Sequence, residues 1–126
     1  MVTTEVAQLS KECNAWRETL RSFKDEFGRF KNRLQDLAGR QTQRDVLLEV
    51  EHLDNQFHIQ LINIHDLKQS IKIHQRQIDA GMAANNGTVP DEILAHHENL
   101  FDDYQQLENT LQELRQEFGH FSSVIR

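Results

Sequence analysis

Residues 6–37 read VAQLSKECNAWRETLRSFKDEFGRFKNRLQDL. Through this stretch Val6, Leu9, Cys13, Trp16, Leu20, Phe23, Phe27, Phe30, Leu34 and Leu37 recur at alternating steps of three and four. An α-helix turns once in ~3.6 residues, so this alternation puts them all on one stripe, the seam along which helices pack. Two further runs repeat the pattern. One is Val46, Val50, Leu53, Phe57, Gln60, Ile64, Leu67, Ile71, His74 and Ile78. The other is Ile93, His97, Leu100, Tyr104, Leu107, Leu111, Leu114, Phe118, Phe121 and Ile125. A single helix of this kind would leave its stripe in water, so the three must share a core. The expectation is an all-α, antiparallel, up-down-up bundle of three long coiled-coil-like helices, over about 3–38, 42–80 and 88–124, forming one domain across 1–126.

Two breaks set those limits. At Ala38-Gly39-Arg40-Gln41, Gly39 suits the left-handed residue that ends a helix, and Thr42 stands three before Asp45 as a capping box for the next. The second break is Gly81-Met82-Ala83-Ala84-Asn85-Asn86-Gly87. Thr88 then offers an N-cap, and Pro90, the only proline, falls in a first turn where its missing N–H has no intrahelical partner anyway. Each helix would be about 55 Å long. Folding them as hairpins pairs Phe30 with Leu53 and Phe118, Trp16 with Leu67 and Tyr104, and Phe23 with Gln60 and Leu111. The same register sets His74 opposite His97, near Leu9 and one turn from Cys13.

Composition narrows the function. The chain of 126 residues carries a net charge of −6. Arg17, Arg21, Lys24, Arg29, Lys31 and Arg33 are interleaved with Glu18, Asp25, Glu26 and Asp36, which describes a solvated mixed-charge face rather than a basic patch for nucleic acid. A single cysteine, Cys13, excludes an intrachain disulfide and favours a reducing, cytoplasmic setting. No stretch approaches the ~20 apolar residues that span a bilayer. The start, MVTTEVAQLSKE, lacks a basic region followed by an apolar run, so no secretory signal is expected.

Three seam positions are not apolar: Gln60, His74 and His97. A buried polar group penalises every alignment that leaves it unsatisfied, so register control is one account of all three. A second account joins Cys13, His74 and His97 into a metal site, because thiolate and imidazole are natural Zn²⁺ ligands and the register brings them to one level. Glu12, His96 or a water could complete a tetrahedron. On the first account Cys13 is a small core residue. A Glu-x-x-His pair, Glu49 to His52, projects away from the seam.

The string His65-Asp66-Leu67-Lys68-Gln69-Ser70 resembles the His-x-Leu-Lys-Gly-Ser signature of histidine phosphotransfer domains, which are small helical bundles. By that resemblance His65 would accept a phosphoryl group and Lys68, one turn on, would assist it electrostatically. The sequence departs from the signature at Gln69, which replaces the glycine that gives a partner close access, and those domains build the site from four helices.

The middle helix holds more aliphatic residues than one seam needs. Leu47 and Leu61 flank the seam and should widen the core. Leu48, Ile59, Ile62 and Ile73 project from the other side, bordered by His58 and His65, and form a candidate contact surface for a second copy or for another protein's helix. No nucleophile–base arrangement, phosphate-binding glycine loop, paired carboxylates or cofactor motif is evident. The expectation is therefore a non-enzymatic interaction or scaffolding module that self-associates through the middle helix, with no cofactor, nucleic acid, membrane or small-molecule substrate.

Overall fold

The computed structural model describes residues 2–84 and 88–125. It is an all-α bundle of three helices: α1 (Val2–Ala38), α2 (Arg44–Ala84) and α3 (Asp91–Val124). At 1.5 Å per residue these rods are roughly 50–60 Å long. The core is the seam. Cys13, Leu20, Phe27 and Leu34 of α1 are fully buried, as are Leu53, Phe57, Ile64, Ile71 and Ile78 of α2 and Leu111 of α3. Phe30, Val46, Leu67, Ile93, Leu107 and Ile125 are half-buried against them. The ring of Phe30 lies 4.9 Å from that of Phe118, and Trp16 stacks on Tyr104 at 5.8 Å, so the α1–α3 pair of each of these expected layers forms. Among the described residues, no helix is long and apolar enough to cross a membrane.

The ends of the helices differ from expectation for local reasons. Gly39 does not take the left-handed conformation. Instead α1 tightens into short turns, with Arg40 N–H donating to Leu37 O and Gln41 N–H to Ala38 O. Thr42 lies two residues outside α2, which starts at Arg44, so the capping box is not formed. The longer connection carries α2 along its neighbour, and Phe30 reaches Phe57, one turn beyond Leu53.

Thr88 is not the cap of α3. Pro90 is, with φ −62° and ψ 149° and no side-chain cap. A residue preceding proline is pushed out of the helical region, so Val89 cannot be helical and the helix cannot begin earlier. The N–H groups of Ile93 and Leu94 are satisfied by Pro90 O. Asp91 and Glu92 place negative charge on the positive end of the helix dipole.

α2 also runs through Gly81 to Ala84 rather than stopping at 80. A glycine suits the close approach there: a Cβ at Gly81 would meet Ile93 Cδ1 at 2.5 Å and Pro90 Cδ at 3.3 Å, so the Ile93 side chain would have to move aside. Part of the expected second break, Asn85-Asn86-Gly87, lies outside the described residues. Leu61 packs against the core as expected, but Leu47 stays exposed.

Candidate functional site

One layer of the seam is polar. Cys13 comes from α1, His74 from α2 and His97 from the second turn of α3, and all three are buried, Cys13 and His74 completely. One nitrogen from each imidazole and the sulfur lie within 4.8 Å of one another. His97 Nδ1 sits at the centre, 2.9 Å from His74 Nε2 and 3.9 Å from Cys13 Sγ. The hairpin register meant to bring these residues together does so.

The proton arrangement follows from the surroundings. Glu12, half-buried beside Cys13, places Oε1 3.0 Å from His97 Nε2. A carboxylate only accepts, so His97 donates there and presents its Nδ1 lone pair inward. His74 Nε2–H donates to that lone pair, which leaves His74 Nδ1 bare. This atom is buried without a hydrogen-bond partner. Burial, reinforced by the neighbouring His97 and His96, holds the His74 pKa down at about 4. Burial, and then the charge of Glu12, pushes the Cys13 thiol up to about 11, with Arg17 opposing. At neutral pH the layer therefore holds a thiol and an uncharged imidazole at His74, both with lone pairs to offer.

Aromatic rings close the layer on one side. The Trp16 ring lies 4.8 Å from His97 and stacks on Phe101 at 5.7 Å. Below them a groove of about 490 Å³ between α1 and α3, lined by Glu12, Trp16, Leu94, His97 and Phe101, leads from solvent to His97. The sequence reading did not single out Phe101 or Leu94. Phe101 sits one residue off the seam, and only its stacking on Trp16 reveals its place. Among the other polar seam positions, Gln60 is buried and accepts a hydrogen bond from Asn63 Nδ2 at 3.2 Å.

The remaining candidates lie on the surface of α2. Leu48, Ile59, Ile62 and Ile73 are exposed, between 45% and 55% open, and His58 and His65 are exposed beside them. His65 and Lys68 differ in environment. His65 faces solvent, whereas Lys68 is half-buried in a groove lined by Asn14, Arg17, Glu18 and Arg21 of α1. Burial, then the charges of Lys24, Arg21 and Arg17, lowers the Lys68 pKa. Glu49 is half-buried, and His52 is exposed and paired with Glu117 across to α3 at 3.2 Å. Compared with known proteins, the chain matches no family model, no curated protein and no solved structure.

Proposed function

We propose that this chain is a non-enzymatic, cytoplasmic interaction or scaffolding module that self-associates through the outer face of α2. The symmetry of one stripe carries the reading. Leu48 and Ile59 are eleven residues apart, and so are Ile62 and Ile73. Eleven residues make about three turns, so all four side chains fall on one line of the helix. That line reads the same from either end, about a point between Ile59 and Ile62. A second copy laid antiparallel across it sets each apolar side chain against another. Asn55 and Asp66, which fill the two gaps, then meet each other. This is the self-complementary contact of a two-fold dimer.

The stripe is about 38 Å long and ~10 Å wide. Such an area is smaller than a standard stable interface, so association is expected only at high micromolar chain concentration. Sedimentation equilibrium tests it. The expected result is a reversible dimer that Ile62→Glu abolishes and Ile73→Glu, at the end of the stripe, weakens less. A chain that stays monomeric throughout that concentration range removes the proposal.

A further inference from the structure

We propose that Cys13 Sγ, His97 Nδ1 and one ring nitrogen of His74 together bind a single zinc ion, with solvent from the α1–α3 groove in the fourth position.

The spacing suits the ion. Zinc–nitrogen bonds of ~2.0–2.1 Å and a zinc–sulfur bond of ~2.3 Å in a tetrahedron separate nitrogen pairs by about 3.3 Å and nitrogen from sulfur by about 3.6 Å. Across the layer, His97 Nδ1 lies 2.9 Å from His74 Nε2 and 3.9 Å from Cys13 Sγ. These two separations come within a few tenths of an ångström of the bonded values, and the third, between Cys13 Sγ and the His74 nitrogen, lies within 4.8 Å and closes by up to about 1.2 Å on binding. One thiolate and two imidazoles form a borderline-soft donor set suited to zinc.

The surroundings suit it as well. His97 donates its other nitrogen to Glu12 at 3.0 Å, the carboxylate–histidine tether that fixes the tautomer and orientation of a metal ligand. Charge balances too: a divalent ion, the Cys13 thiolate and the Glu12 carboxylate sum to zero inside a layer that could not hold a net charge cheaply. Protons balance in turn. Binding through His74 Nε2 moves that nitrogen's proton to Nδ1, which is bare, and the thiol proton leaves to solvent as the Zn–S bond forms. The groove reaches the His97 ring and Glu12 at the edge of the layer, the side from which an ion and solvent would enter. Without an ion, the same layer places three polar groups together in a seam whose other fully buried positions are aliphatic or aromatic. That pattern is expensive as packing and economical as a ligand set.

The experiment uses the full chain, stripped with chelator and titrated with Co²⁺ as an optical stand-in for Zn²⁺. A thiolate-to-cobalt charge-transfer band should grow to one equivalent per chain and bleach when Zn²⁺ is added. The thermal midpoint should rise with Zn²⁺. Cys13→Ser should lose the band. Glu12→Gln changes only a half-buried carboxylate, leaves the core intact, and should bind Co²⁺ ten- to a hundredfold more weakly. A folded parent chain that develops no charge-transfer band, or a band that persists in Cys13→Ser, overturns the proposal. The result is independent of the oligomeric state, because all three ligands belong to one chain.

Discussion

At the end of the bundle near the α1–α2 connection, the seam is filled with phenylalanine. Phe27 meets Phe57 edge-on at 5.5 Å, Phe57 meets Phe118 edge-on at 5.3 Å, and Phe30 lies against Phe118 at 4.9 Å. At the opposite end, the equivalent layer holds Cys13, His74 and His97. Both layers are formed by the same three helices at the same kind of position along the seam. The aromatic layer gains area burial and favourable ring geometry with no polar group to satisfy. The histidine layer has three polar groups to satisfy and leaves one nitrogen bare. A bundle that needed only stability could use the first solution twice. The contrast sets an apolar layer at one end against a polar one at the other.

The largest expected effect breaks the aromatic end. Phe57 is fully buried at the centre of the ring cluster, so Phe57→Ala should cost about 3–5 kcal/mol. Urea unfolding followed by circular dichroism measures it. A loss below ~1 kcal/mol would mean that this end does not anchor the fold.

Next comes acidification of the metal-free chain, which acts on the histidine end. His74 faces Cys13 from α1 and His96 and His97 from α3, and Glu12 reaches the layer through its bond to His97. Its folded pKa, about 4, lies below the ordinary value of 6.5, so between those values the unfolded chain binds the extra proton. Stability is then fully present above pH 6.5 and falls as the pH drops toward 4, by up to about 3 kcal/mol from this group. Unfolding free energies at pH 7 and pH 4.5 give the slope. The double variant His74→Leu/His97→Leu should flatten it, and an unchanged slope in that variant would assign the acid sensitivity elsewhere.

The smallest effect compares glycines at the two ends. A Cβ at Gly28 or Gly119, beside the aromatic cluster, meets nothing within 4 Å. Gly28→Ala and Gly119→Ala should each stabilise the protein by about 0.5–1 kcal/mol through helix propensity. Gly81→Ala, where α2 is pressed against Pro90 and Ile93, should lose that gain or reverse it. Thermal midpoints of the three variants rank them, and equal gains at all three would remove the close approach from the account.

The period of the apolar residues made the fold and the α1–α3 pairing of two layers legible. Arithmetic on two hairpins set Trp16 beside Tyr104 and Phe30 beside Phe118, and it also brought His74 to His97. It worked because long antiparallel helices propagate one alignment along their whole length. Ends obey shorter-range rules. Thr42 and Thr88 have the right chemistry for caps, but the backbone restriction that Pro90 imposes on Val89, and the length of the first connection, decided where the helices begin. At the site, the residue types and their level in the bundle could be read. The Glu12 bond to His97 and the burial of Lys68 against α1 could not, because both depend on which rotamer a flexible side chain takes among its neighbours.

Trp16 is the only tryptophan of the chain, and its ring lies 4.8 Å from His97. The protein's intrinsic fluorophore is thus built into the wall of its histidine layer. Emission from the unlabelled chain will register whatever happens to that imidazole, whether it gains a proton, gains an ion or swings away, and the phenylalanine end stays silent at that wavelength.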